Sequence, residues 1–521
     1  MRGAKSRRAF AVAVGLTGVA AGQSPIAEFE GSAVGDGFGA AVAGVGDVDG
    51  DGFDDVVIGA FQEDANGFDA GAVRVVSGRT GETLVLVAGA GAGAGLGRFV
   101  GRTGDVDGDG FPDLVTSSAT DLRVLSGVDG SPIHLVPTGS RPRVSGAGDM
   151  NADGFADVAF TLPPTAGGAT VVSGATGAKG TFPGLAFGIA GPGDLDGDGH
   201  DDLAVGFPDV VGTPGRIDVF SGATGQVVRQ VVEAEGETIG YQMAGAGDVD
   251  ADGTPDLGLS LGTERVAVRS GVDMSLLHVL DGDPGLGMFG DALDGAGDLD
   301  GDGRDDVIVG APGLFLGFPG YARAYSGADG SVLFGLVGSG GPATGDALGA
   351  AVARLGDVNG DGLADVAVGA PQSPLSNPVG PGYVWVVSHC AGGVVDVHGD
   401  GCPGSSGFVP ELRVLGCPLP RSEAEVTVRK ALGLSIALVF VGHASPGTPL
   451  WGTCALHVDA LTGVVFQLPL SAGGPGHGEA SVPVTVPSEA PSGPFHLQGF
   501  VFDPAAAGGV AVTNGVVVAV P

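Results

Sequence analysis

Between about residue 38 and residue 387, short apolar runs alternate with turns marked by glycine, serine and proline. Val56-Val57-Ile58 and Val307-Ile308-Val309 are uninterrupted apolar triplets, the pattern of a strand buried on both faces. A second kind of run, such as Val73-Arg74-Val75-Val76, alternates or is β-branched and ends in a Ser-Gly turn. That turn recurs as Ser77-Gly78, Ser126-Gly127, Ser173-Gly174, Ser221-Gly222, Ser270-Gly271 and Ser326-Gly327, each time followed by a further short strand. The pattern predicts an all-β chain built from many short strands.

These runs belong to a repeat. Seven segments match D-x-[DN]-x-D-G-x-x-D, beginning at Asp47, Asp105, Asp149, Asp194, Asp248, Asp298 and Asp357, with separations of 58, 44, 45, 54, 50 and 59 residues. About nine residues before the first Asp stands a Phe-Gly-like pair: Phe38-Gly39, Leu96-Gly97, Phe289-Gly290 and Leu348-Gly349. A Gly-Ala-Pro-like turn follows the last Asp, as in Gly59-Ala60, Gly206-Phe207-Pro208, Gly310-Ala311-Pro312 and Gly369-Ala370-Pro371. Ser117, Thr161 and Ser260 replace its glycine in repeats 2, 3 and 5, and repeat 3 also lacks the Phe-Gly pair. Each repeat therefore predicts four strands, with the acidic loop between the first and second. The seventh repeat runs out one strand short, after Val384-Trp385-Val386-Val387, while Ile26 to Phe29 forms an orphan strand before the first. Ring closure by that strand would leave no open sheet edge.

The repeats resemble FG-GAP repeats, the units of the integrin α-subunit propeller and of many secreted bacterial proteins. The resemblance covers roughly residues 25 to 390 and implies a seven-bladed β-propeller with calcium in the loops. Integrin propellers carry metal in only some blades, whereas all seven loops here keep the ligand pattern.

The loop chemistry points to the same ion. Positions 1, 3, 5, 7 and 9 are Asp47, Asp49, Asp51, Phe53 and Asp55 in loop 1, and Asp105, Asp107, Asp109, Phe111 and Asp113 in loop 2. They are Asp149, Asn151, Asp153, Phe155 and Asp157 in loop 3, and Asp194, Asp196, Asp198, His200 and Asp202 in loop 4. Loop 5 has Asp248, Asp250, Asp252, Thr254 and Asp256, and loop 6 has Asp298, Asp300, Asp302, Arg304 and Asp306. Loop 7 has Asp357, Asn359, Asp361, Leu363 and Asp365. Positions 1, 3, 5 and 9 supply side-chain oxygens, position 7 a backbone carbonyl, and the glycine at position 6 the sharp turn that folds them inward. An all-oxygen set without His or Cys selects calcium over transition metals, and the absence of a phosphate partner disfavours magnesium. Position 12 is mostly apolar, which excludes an EF-hand, and loops 3 and 7, with Asn151 and Asn359, are expected to bind more weakly. The side chain of His200 is expected to face solvent.

Composition sharpens this reading. Twenty-three basic residues stand against 60 acidic ones, a net charge of −37, so nucleic acid and anionic lipid are excluded as partners. Loop positions 1, 3, 5 and 9 hold 26 of the acids, close to half. Two unit charges about 4 Å apart repel by roughly 4 kcal/mol at an effective dielectric near 20, so loops this dense call for a cation.

The N-terminus reads as an export signal over residues 1–22, with Arg2, Lys5, Arg7 and Arg8 ahead of the apolar stretch Ala9 to Ala21. That stretch is too short to span a membrane comfortably. Ser6-Arg7-Arg8-Ala9-Phe10 leaves Sec and twin-arginine export both open. Residues 23–393 form the expected propeller and 394–521 a β-sandwich-like C-terminal domain. Export makes disulfides among Cys390, Cys402, Cys417 and Cys454 plausible, with Cys402–Cys454 and Cys390–Cys417 the preferred pairing.

No catalytic constellation emerges. Gly258-Leu259-Ser260-Leu261-Gly262 matches G-x-S-x-G, but a nucleophile elbow needs a strand turning into a helix. Metal ligation accounts for the paired carboxylates, and no further acid is expected to recur at a fixed place. Trp385 and Trp451 are read as packing residues. The leading expectation is a non-enzymatic binding or adhesion module for an extracellular protein or glycan. The alternatives are a polysaccharide lyase or phospholipase-type hydrolase on the same scaffold, or a passive envelope component. An enzyme would bring Arg, His, Tyr or Lys together, and this chain has three Lys and four Tyr, spread apart.

Overall fold

A computed structural model describes residues 25–389 except 163–167, 209–213, 233–238, 263, 284–287, 314–319, 339–344 and 373–379. Beyond 389 it describes 394–398, 402, 409–415, 423–432, 435–442, 444–449, 455–458, 464–471, 475–485, 493–506 and 510–520. The expected signal segment, Trp451, Cys390, Cys417 and Cys454 lie outside the described residues. Every element in these segments is a strand.

Seven four-stranded antiparallel sheets carry the repeats. Blade 1 comprises Phe38–Gly46, Asp55–Ala60, Ala72–Val76 and Thr83–Ala88, in that order from the centre outward. Blades 2 to 6 repeat the arrangement, and their innermost strands begin at Val100, Arg143, Ile189, Met243 and Ala292. Blade 7 draws three strands from Ala351–Gly356, Asp365–Ala370 and Tyr383–Ser388, and its fourth is Ala27–Glu30, paired antiparallel with the third. The orphan strand thus closes the ring, as its sequence suggested. The innermost strands touch in a complete circle, that of blade 7 against that of blade 1.

The two kinds of apolar run follow from burial. The second strand of each blade is sandwiched between its neighbours, so Asp55–Ala60 and Asp306–Ala311 are buried at every position. Cores form between blades: Val57, Val73 and Val75 of blade 1 pack with Leu114 and Leu125 of blade 2. Outermost strands such as Thr83–Ala88 face solvent on one side and keep an alternating pattern.

The paired glycine motifs are a single contact between blades. The Cβ of an alanine at Gly369, in the Gly-Ala-Pro turn of blade 7, would lie 2.1 Å from the carbonyl oxygen of Gly39 in blade 1. Gly310 stands in the same way against Gly349, and Gly59 against Gly97. The second glycine of each pair has a φ of 84° to 87°, which a side chain rarely adopts.

The C-terminal segments form a five-stranded sheet, a three-stranded sheet and a two-stranded ribbon. Leu412, Val426 and Val428 of the three-stranded sheet share one core with Ala437, Val439, Leu497 and Val501 of the five-stranded sheet, a sandwich-like packing. Cys402 is buried and pairs through its backbone with Val512. Arg429 donates to Glu28 at 2.7 Å and also to Glu30, so the C-terminal part grips the strand that closes the ring. Trp385 donates to the same Glu28 at 3.1 Å, in keeping with a packing and anchoring role.

A Gly369→Ala variant should lose about 3 kcal/mol of stability by overpacking. Urea denaturation followed by circular dichroism checks this, and a loss below about 0.5 kcal/mol would remove the close-contact account of the motif.

Candidate metal centres

Each acidic loop leaves the inner end of its blade directly after a glycine that closes the first strand. In loop 1 the backbone wraps around Asp47: its Oδ1 accepts N–H groups from Gly50 at 2.7 Å and Asp51 at 3.0 Å, and its Oδ2 accepts from Gly52 at 2.8 Å. Asp49 accepts from Asp51 at 3.1 Å, and Asp51 from Phe53 at 3.0 Å. The backbone donors shape the loop, while every carboxylate keeps lone pairs free for a further partner.

Position 9 is different, because it opens the second strand and is buried. Asp55 accepts from Val48 at 2.9 Å through Oδ2 and from Gly78 at 3.0 Å through Oδ1. The same two bonds recur at Asp113, Asp202, Asp256 and Asp306. This explains the Ser-Gly turns: their glycine N–H is the donor that ties the third strand to the loop. Burial pushes Asp55, Asp113, Asp157, Asp202 and Asp256 up to about 6, Asp306 to about 7 and Asp365 to about 8. Hydrogen bonds pull these values down, and the other loop carboxylates add to the rise.

The structure brings positions 1, 3 and 9 together in loops 1, 2, 4 and 5, with one oxygen from each within 4.8 Å of the others. In loop 6 the convergent set is Asp298, Asp300 and Asp302, at positions 1, 3 and 5. In loops 1, 2, 4 and 5 the position-5 aspartates, Asp51, Asp109, Asp198 and Asp252, stand outside these groups of three. In loops 3 and 7 an amide occupies position 3. Asn151 Nδ2 donates to Asp157 at 3.1 Å, and Asn359 Nδ2 to Asp365 at 3.2 Å, so each amide supplies locally some of the positive charge the other loops lack. The donor sets fit a hard cation: three convergent carboxylates, no nitrogen or sulfur, and, among the described residues, one ion pair to a ligand position, Arg79–Asp51 at 3.9 Å.

Position 7 does not behave uniformly. His200 does not face solvent: its Nδ1 lies 3.0 Å from the carbonyl of Met150 in the preceding loop, which holds the ring half-buried. Arg304 donates likewise to the carbonyl of Val249 at 3.2 Å. In four other loops the position-7 side chain lies over position 4 of the preceding loop: Phe53 over Gly360, Phe111 over Gly50, Phe155 over Gly108 and Leu363 over Gly301. Where position 4 is Ala152 or Ala251, the next loop supplies His200 or Arg304 instead of a bulky apolar group. A ring above those alanines would meet their Cβ.

Position 8 was missed by sequence reasoning. Asp201 Oδ2 accepts the N–H of Asp149 at 2.8 Å, and Asp305 Oδ2 that of Asp248 at 3.0 Å, each reaching the preceding loop. Position-8 backbone N–H groups donate to the position-1 carbonyl of the preceding loop from Asp54, Ala156, Asp201, Asp305 and Ala364. The two exceptions, Pro112 and Pro255, have no N–H to give. The loops therefore form a ring in which each leans on the one before it. The signal was the doublets Asp54-Asp55, Asp201-Asp202 and Asp305-Asp306, in which a further acid does recur at a fixed place.

The serine of the G-x-S-x-G match does not form a nucleophile elbow. Ser260 ends a strand and pairs with Val266 in the next, a hairpin rather than a strand-to-helix turn.

Fold and loops together define a seven-bladed β-propeller with an acidic, cation-type loop at the inner end of every blade. The FG-GAP repeat family matches residues 38–76, 289–332 and 349–387. These are blades 1, 6 and 7, which keep both glycine motifs. Integrin alpha-3 of Cricetulus griseus and integrin alpha-3 of Mus musculus are each 33% identical to the chain over 157 residues, 27% of this chain and 14% of theirs. The chain thus carries FG-GAP repeats in three of its seven blades, and it spans only 14% of the length of the integrins it is similar to.

The position-9 carboxylates set a pH dependence. Their values in the folded, ion-free protein exceed the unfolded value near 3.9. Their stabilising contribution is therefore complete below about pH 4 and is lost as pH rises through about 6 to 8. In chelator, the melting temperature should fall between pH 5 and pH 8, as scanning calorimetry would read. A melting temperature that rises over this interval would contradict the buried, ion-free carboxylates.

Proposed function

We propose that the protein is an exported binding or adhesion module for an extracellular protein or glycan, a seven-bladed propeller stabilised by about seven calcium ions. The observation that carries this reading is the convergence of three carboxylates in loop after loop. Asp and Asn side chains at positions 1, 3, 5 and 9, with the position-7 carbonyl, would hold each ion. The ion would neutralise a charge cluster that costs stability when empty. Residues 1–22 would direct export, 23–393 form the propeller and 394–521 a β-sandwich-like domain. The described residues contain no helix long and apolar enough to cross a membrane. The hairpin at Ser260 and the ligand role of the acids support binding rather than catalysis.

Extracellular calcium modules bind at about 10⁻⁴ to 10⁻³ M. At tenfold excess over the dissociation constant each site adds about 1.4 kcal/mol. For a propeller of this size, the summed effect raises the melting temperature by on the order of 10 °C over chelator. Calorimetric titration of the chain from Gln23, paired with melts in calcium and in chelator, tests this. Near seven ions and a large shift are expected, and an unchanged melt returns the loops to solvated turns. Asn151→Asp should tighten the loop 3 site by about tenfold, through one added ligand charge.

A further inference from the structure

The seven innermost strands enclose a channel of about 950 Å³. One end opens among the acidic loops. The other lies at the starts of the same strands, where Arg98, Arg143, Gln242 and Asp291 line the wall.

Two arginines, Arg98 and Arg143, line that second mouth, and a third, Arg141, lies beside Arg98 at its rim, in a protein with nearly three acids for every base. The Arg98 guanidinium lies 4.5 Å over the ring of Phe61 and is close enough to Arg141 for the like charge to disfavour protonation, adding to the larger effect of burial. Arg143 rests 4.5 Å over Phe187 and donates to the Tyr241 carbonyl at 3.0 Å and to Gln242 Oε1 at 2.7 Å. Among the described residues none of the three arginines makes an ion pair. Arg98, stacked on Phe61, and the Nε and Nη2 groups of Arg143, fixed by its two Nη1 bonds, leave donors for capture of an oxyanion.

We propose that this mouth binds the carboxylate of an acidic sugar, a uronate residue at the end of a glycan. Asp291 stands beside Arg143 and would repel a dianionic phosphate, while the hydroxyls flanking a monoanionic carboxylate give it donors to accept from. Tyr241, 39% exposed and packed edge-on against Phe187, offers a ring face of the kind sugars stack upon. The cavity volume is that of a small-ligand site and admits a short chain end. The proposal rests on the binding-module reading and assigns its ligand class.

The test is calorimetry with the full chain at fixed free calcium, using a trimeric uronate, a neutral glucose trimer and tetraglutamate as probes. The expected result is saturable binding of the uronate trimer alone. Arg98→Gln, which leaves the hydrogen bonds of Arg143 in place, should weaken it by about tenfold or more, with partial recovery in Arg98→Lys. Melting temperature and calcium stoichiometry of the variants should match the parent. Equal uronate affinity in Arg98→Gln overturns the proposal, as does tetraglutamate binding as tightly as the uronate, or no uronate binding. Normal calcium binding with no uronate binding removes this proposal alone, whereas loss of calcium binding itself removes the reading beneath it.

Discussion

The buried aspartate at loop position 9 is the interaction on which each blade depends. It sits where the acidic loop becomes the second strand, and its two oxygens hold the N–H of position 2 and the N–H of the Ser-Gly turn. One carboxylate thus joins the loop, the second strand and the end of the third. Burying it as an anion is costly, and the rise of its proton affinity expresses that cost. A cation beside positions 1, 3 and 9 would offset the penalty and leave the hydrogen bonds intact. Fold and candidate ion site are therefore one arrangement.

A second constraint acts between blades. The glycine of one Gly-Ala-Pro turn meets the glycine of the next blade's Phe-Gly pair at backbone contact, on the side away from the loops. On the loop side, position 7 leans on position 4 or position 2 of the preceding loop in six of the seven loops, and position 8 bonds to position 1 wherever it is not proline. The ring is held at both rims of its inner edge, and the strand Ala27–Glu30 completes it. Arg429 and Trp385 both fasten that strand through Glu28, so the last blade is tied to both ends of the chain.

Much of this was legible before the fold was known, for a reason that differs by residue. The position 1, 3, 5 and 9 acids recur at fixed spacing because a loop around one point needs oxygens at fixed offsets along the chain. The ring-closing strand was legible because four strands per repeat left one blade short and one strand over. His200 was misjudged because its partner, the Met150 carbonyl, is 50 residues away and belongs to another loop. The position-8 aspartates were passed over because their bonds also run to a different blade. Arg98 and Arg143 carried no such signal, since they come from consecutive repeats and meet only at the channel mouth.

The sequence by itself determined the strand count, the loop chemistry, the closing strand and the all-β class. Each of these is written in local spacing, and seven copies make local spacing readable. Tertiary structure alone decided which side chains cross from blade to blade, that position 7 takes two different roles, and that a cationic mouth faces away from the acidic loops. Those features depend on how one repeat is set against the next, and that angle is fixed by packing across the ring rather than by any residue's neighbours in the chain.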